Sequence, residues 1–285
     1  MTALAAARSA AAPPAAHAWR SRGRARTRSR MQALAAAAAD FEAAEWGWAE
    51  PAWAPEGAGA RGEAAAEATS AIFDAVDIVA ALEVAAEADD EVDLTLDEYT
   101  YGEFDRAAFG AVVERLQTVH GARGGAFVDV GCGRGQLVLA AAEIAADWRD
   151  CVGVEFVPEL AAIGMAACQI AGRANAAEAR TRVKPRVLQG DAFVCLDDLL
   201  PPLPQQQQAR DVWFCYATRM RRVAPEQGSH LQLSMPLRRA MAEGALAAIV
   251  NATLDTGGGF EEVEELHCQN RPEQQECVVR VYRAV

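Results

Sequence analysis

At 285 residues the chain has room for one large domain or two small ones, and its 40 acidic against 27 basic side chains leave a formal charge of −13. No apolar run is long enough to span a membrane. Seven cysteines are scattered singly, with no Cys-x-x-Cys pair, which excludes structural metal-site spacing and speaks against a secreted disulfide framework.

The charge is unevenly spread. Residues 1–39 contain seven arginines and no acid, and are rich in alanine with some serine. With the arginine cluster from Arg20 to Arg28, that composition suits a plastid or mitochondrial transit peptide. A basic nucleic-acid-binding or nuclear-localisation arm is the alternative. Residues 31–285 keep 20 basic and 40 acidic side chains, a charge of −20, which nucleic acid repels unless a local basic patch compensates. Residues 40–65 mix acids, Pro, Gly and three tryptophans (Trp46, Trp48, Trp53) without periodicity and read as a linker. From 66 to 88 a stripe of Ile72, Phe73, Val76, Val79 and Leu82 predicts a helix. The expected division is a targeting-type segment over 1–39, an acidic linker and helix over 40–92, and a folded domain over 93–285.

Asp105 is a good N-cap for a helix whose Phe109, Val112, Val113 and Leu116 form one apolar face. The apolar run Ala126–Val130 predicts a buried strand. It carries an acid, Asp129, followed by glycine at every second position (Gly131, Gly133, Gly135), then a helix from Leu137 to about Ala146. Such glycines let the backbone turn tightly and approach a ligand, and the helix N-terminus behind them offers free N–H groups. A dinucleotide-binding loop would need glycine where Gln136 stands. The pattern resembles the first motif of class I S-adenosylmethionine (SAM)-dependent methyltransferases. Cys132, between two glycines, is expected to be a small side chain that fits.

Cys151–Glu155 predicts a second strand ending in an acid, and Val187–Asp191 a third. A carboxylate at a strand tip can accept from both ribose hydroxyls, and successive strand-end acids match the ligand crevice of open α/β sheets. After a Pro/Gln loop over 201–208 come strand four at Asp211–Cys215, a helix around Leu231–Met241 and strand five at Leu246–Ala252. A flexible turn follows at Thr256–Gly259, then an antiparallel pair, Phe260–Cys268 and Cys277–Tyr282. The expectation is an α/β, Rossmann-like, seven-stranded, mostly parallel sheet preceded by an N-terminal helical extension.

Tyr101-Gly102-Glu103 stands one helix before the glycine loop. With Asp129–Gln136, Gly153-Val154-Glu155 and Gly190-Asp191 in order, it resembles the catalytic domain of the disruptor-of-telomeric-silencing (Dot-one-type) histone-lysine methyltransferases over roughly residues 93–255. The resemblance implies a loop of Tyr101 to Glu103 folded over the cofactor. Glu103 would meet the methionine amino group, and Gln136 and the glycine loop the methionine end. Glu155 would meet the ribose and Asp191 the adenine. At two places the chain departs from that family. Tyr216-Ala217-Thr218 stands where an asparagine pair and an aromatic residue flank the acceptor channel, which points to Tyr216 and Thr218 as the acceptor-side residues. Ala192 stands where an adenine-stacking phenylalanine is found, with Phe193 one step later. SAM is the expected cofactor and no metal is expected. The expected methyl acceptor is a nitrogen, lysine-type group on a protein, or a small molecule in an organelle. A SAM-binding inactive interaction module is the rival from another class. The −20 charge argues against docking on nucleosomal DNA.

Overall fold

A computed structural model of the chain describes residues 103–144, 147–178, 183–200, 209–217, 220, 222–223, 230–270 and 275–285. The targeting-type segment, the linker, the helix expected over 66–88 and the 201–208 loop lie outside the described residues.

One sheet holds seven strands in the order β3-β2-β1-β4-β5-β7-β6. They are β1 (Gly124–Val130), β2 (Asp150–Glu155), β3 (Pro185–Gln189), β4 (Arg210–Tyr216), β5 (Leu246–Val250), β6 (Phe260–Asn270) and β7 (Gln275–Ala284). The first five run parallel, and β7 is antiparallel to both β5 and β6. This is the Rossmann-like, mostly parallel sheet expected from the sequence. Among the described residues five helices flank these strands: α1 (Arg106–Thr118) before β1, then α2 (Gln136–Ile144), α3 (Pro158–Glu178), α4 (Ala192–Leu199) and α5 (Ser234–Ala240) between successive strands.

Both faces of the sheet are covered, which is why the central strands read as nearly continuous apolar runs. All of β5 is buried, and β1 is buried after its first residue. Side chains alternate between two cores. Phe127 and Phe214 join Phe109 of α1, Val138 of α2 and Ala161 of α3 on one face, while Val128 and Trp213 join Leu196 of α4 and Leu237 of α5 on the other. The ring of Phe109 meets Phe127 and Phe214 edge-on at 5.4 and 5.2 Å. Such pairs contribute about 0.5–1.5 kcal/mol each beyond their buried area.

Asp105 caps α1 as expected, its Oδ1 accepting from the Ala108 amide at 2.8 Å. The third strand ends earlier than expected, at Gln189. Asp191 is therefore the N-cap of α4, accepting from the Phe193 amide at 2.8 Å, and not a strand tip. The fifth strand stops at Val250 because Asn251 turns left-handed at φ 59°. The turn at Thr256–Gly258 is a 3₁₀ turn capped by Asp255. The closing hairpin is longer than expected at both ends and brings Asn270 into the fold. Helix α5 begins only at Ser234, because Leu231 bridges back to Arg222.

The order of strands reverses between β1 and β4. The chain steps from β1 outward to β2 and β3, then returns to the other side of β1 as β4. In open α/β sheets the ligand crevice lies at the carboxyl ends of the strands at this switch point.

Candidate functional site

At that point the structure has an open cleft lined by Glu103, Phe104, Asp129, Gly131, Cys132, Gly133, Gln136, Leu137 and Tyr216. Sequence position explains the convergence. Asp129 nearly ends β1, residues 131–137 are the loop and first turn that follow, and Tyr216 ends β4, the neighbour of β1. Asp129 and Tyr216 share the sheet face of Phe127 and Phe214, against which Phe104 packs, its ring centroid 5.6 Å from that of Tyr216.

The loop's shape requires its glycines. Gly131, Gly133 and Gly135 have φ of 78°, 53° and 79°, a region that costs other residues roughly 1–2 kcal/mol each. Space is short as well: a Cβ on Gly131 would lie 2.7 Å from the Met220 side chain, and one on Gly135 3.0 Å from Val187. Two further glycines act from outside the motif. A Cβ on Gly153 of β2 would collide with the Cys132 sulfur at 2.4 Å, and one on Gly164 of α3 would crowd the Arg134 carbonyl at 3.2 Å.

Four of the five loop amides are spent inside the protein. Gly131 and Cys132 donate to the Val154 carbonyl at 2.8 and 3.1 Å, Gly135 to the Cys132 carbonyl at 2.9 Å, and Gly133 to Glu155 Oε2 at 2.7 Å. Free loop N–H groups, which a phosphate would need, are not what this loop presents. Glu155 also accepts from the Val157 amide at 2.8 Å, so both of its oxygens hold backbone. Burial pushes its carboxyl up, and these amide hydrogen bonds offset only part of that rise.

Glu103 has a partner that the sequence reading did not foresee. Arg134, within the glycine loop and only 5% exposed, reaches it through Nε to Oε1 at 2.5 Å and through a second nitrogen to Oε2 at 3.0 Å. The same guanidinium donates to Gln136 Oε1 at 3.3 Å. A bidentate, charge-assisted pair of this kind fixes both side chains. An arginine between two loop glycines, one helix after an acid, is the signal that would have found it.

Asp129 is the opposite case. It is 3% exposed, faces the cleft, and among the described residues its carboxyl makes no side-chain hydrogen bond or ion pair. Burial first, and the nearby Glu155 charge second, push its pKa up to about 8. The Cys132 thiol is raised well above its ordinary value by burial and then by the charges of Asp129 and Glu155, so it is no thiolate nucleophile.

Of the residues singled out from the sequence, Glu103, Asp129, Gly131, Gly133, Gln136 and Tyr216 line one cleft. Gly135 supports it from behind, against Val187 and Gly164. Glu155 braces the loop, while Asp191 caps α4 and Phe193 packs on the core beside it. Tyr101 and Thr218 lie outside the described residues. After β4, Arg222 donates to the Asn251 carbonyl at 2.6 Å. No group of three His, Cys, Asp or Glu side chains among the described residues could hold a metal ion, and no described helix is long and apolar enough to cross a membrane.

No family model and no curated protein matches the chain. Among solved structures it is similar to TrmN from Thermus thermophilus (14% identity over 62% of this chain and 49% of TrmN, TM-score 0.40), so it spans about half the length of that protein. It is also similar to the [4+2]-cyclase SpnF (13%, 64% of this chain and 84% of SpnF, TM-score 0.42). A third is the N-methyltransferase NodS from Bradyrhizobium japonicum in complex with S-adenosyl-L-homocysteine (13%, 70% of this chain and 98% of NodS, TM-score 0.41). The functional reading rests on the site itself.

Proposed function

We propose that the chain is a SAM-dependent methyltransferase with a Dot-one-like catalytic domain, transferring a methyl group to a nitrogen acceptor of the lysine type on a protein. The observation that carries this reading is Asp129. A buried carboxyl with no side-chain partner, at the floor of a cleft that also holds Glu103, suits a cationic ligand. The spent loop amides disfavour the pyrophosphate of a dinucleotide. A zwitterionic amino-acid end on a sulfonium ligand fits that balance.

The residues that would hold SAM are Asp129 and Glu103 toward its ammonium, and Gln136 with the glycine loop along its methionine part. Glu155 at the end of β2, and Asp191 and Phe193 at the start of α4, would face its nucleoside. When bound, SAM supplies an electrophilic methyl group on sulfur. The chain's share is positioning, in which well-oriented reactants reach effective molarities of about 10⁵–10⁸ M. Tyr216 at the cleft mouth is placed to orient the acceptor, with Thr218 two residues on. An amine with a reference pKa near 10.4 must first lose a proton, which costs roughly 4.6 kcal/mol at pH 7. Desolvation at the cleft mouth works in that direction.

Calorimetry on the full chain tests the reading: SAM and S-adenosylhomocysteine bind and NAD does not. Tight NAD binding with none to SAM overturns it. For the acceptor, radioactive SAM with organelle extract and nucleosomes side by side separates the choices. Little transfer to nucleosomes is expected, given the −20 charge of residues 31–285 and Tyr216 in place of an amide. A small-molecule acceptor in an organelle is the second reading, favoured by the acid-free, arginine-rich residues 1–39. Those residues, fused to a fluorescent reporter, should carry it into a plastid or mitochondrion. Nuclear accumulation would instead favour the histone acceptor.

A further inference from the structure

Asn270, the last residue of β6, is completely buried, and two of its three amide contacts reach residues that line the cleft. Its Oδ1 accepts from the Asp105 amide at 2.7 Å. Its Nδ2 donates to the Glu103 carbonyl at 3.0 Å and to the Tyr216 hydroxyl at 3.1 Å. The side chain's orientation is fixed by these partners, because a backbone N–H can only donate and a carbonyl can only accept. A neutral group with two donors and one acceptor is required here. A carboxylate would accept everywhere and would also bury a charge.

The contacts join segments 54 and 167 residues away in sequence. One is the strand that ends in Tyr216, on the acceptor side. The other is the segment whose Glu103 side chain meets Arg134 of the glycine loop. We infer that Asn270 is a positioning residue. By holding the Tyr216 hydroxyl and the Glu103 backbone in one geometry, it makes the closing hairpin part of the site. The strand that carries it is anchored to α1 a second time, near the helix's far end, where Glu264 takes Arg115 and His120 at 2.5 and 2.8 Å. The functional half of the inference rests on the cofactor reading proposed above; the structural half does not.

The test compares wild type, Asn270→Ala and Asn270→Asp as full chains, each checked for a cooperative melt. Without any ligand, hydrogen exchange at the Asp105 amide should quicken about tenfold or more in N270A, while the β7 amides keep their protection. A tyrosine ultraviolet difference spectrum between wild type and N270D should appear, and should vanish when both carry Tyr216→Phe. With S-adenosylhomocysteine, N270D should bind about tenfold more weakly than wild type at pH 8. Part of that ratio should be recovered at pH 5.5, where a protonated Asp regains one donor. Taking the ratio to wild type at each pH cancels the titration of Asp129. Unchanged exchange at Asp105 in N270A, or S-adenosylhomocysteine affinity within twofold of wild type in a folded N270D at pH 8, overturns the inference. Should wild type bind no S-adenosylhomocysteine, the cofactor reading fails, and the exchange and spectral arms still decide the role of Asn270.

Discussion

The glycine loop and the closing hairpin meet at the same cleft but are built on different terms. The loop is a short local device: five residues with three left-handed glycines, braced by an acid from the next strand. The hairpin contributes through a single buried amide reached across 167 residues. Local devices show in sequence because backbone geometry restricts the residue type. A long-range contact leaves one asparagine among many. Chemistry at this cleft therefore depends on a part of the chain that no motif marks.

Breaking the loop should cost most. Arg134→Ala leaves Glu103, half-buried at the cleft, without its counter-charge, and loss of such a charge-assisted partner destabilises by about 1–3 kcal/mol. A urea melt of the full chain measures it. Gly133→Val places a β-branched residue at φ 53°, costing about 1–2 kcal/mol, and fills the cleft floor, so S-adenosylhomocysteine binding should be lost in calorimetry while the chain still folds.

Asp129→Asn should weaken SAM binding by about tenfold, near 1.4 kcal/mol, at pH 8.5 and by less at pH 6.5. In wild type the affinity should rise with pH through about 8 as Asp129 ionises, and the variant should show a flatter profile. The sign for stability is opposite. The folded chain holds a proton on Asp129 that the unfolded chain releases near pH 4, so this contribution is present below that pH and is lost as pH rises through about 8. The ligand-free Tm should decline less over that range in the variant.

The hairpin's other anchor provides the contrast. Burial raises the Glu264 carboxyl, but hydrogen bonds from Arg115 and His120 outweigh it and hold the group below its ordinary value. Its stabilisation is present above the unfolded carboxylate pKa near 4.5 and is lost as pH falls through the lowered value. Glu264→Gln should cost about 1 kcal/mol in a denaturant melt at neutral pH, shift acid unfolding upward in pH, and leave S-adenosylhomocysteine affinity unchanged. Equal damage to ligand binding from Glu264 and Asn270 would erase the distinction between the two ends of β6. Smallest of all is Cys132→Ser, at about 1 kcal/mol or less in the same melt, since the hydroxyl can donate to the Gly133 carbonyl that the thiol already faces.

Most of the sheet was legible because both of its faces are covered, so β1, β2, β4 and β5 appear as short apolar runs. The closing pair was found by its alternation, though β6 runs two residues beyond Cys268 through polar Gln269 and Asn270, where alternation gives no cue. Asp191 was misread as a strand tip because an acid after an apolar run looks the same whether it ends a strand or caps the next helix. Within the site, the acids and glycines were visible as types. Their partners were not: that Glu155 would bind the loop's own amide, and Glu103 an arginine inside the loop, depends on side-chain reach in the folded chain.

The protonated state of Asp129 has a calorimetric consequence. A cation settling in the cleft would drive that proton into solution near neutrality, so the heat of binding would include the heat of the buffer molecule that captures it. Titrations in phosphate and in Tris should then give different enthalpies for the same affinity. Their difference, divided by the difference in buffer ionisation enthalpy, counts the protons released.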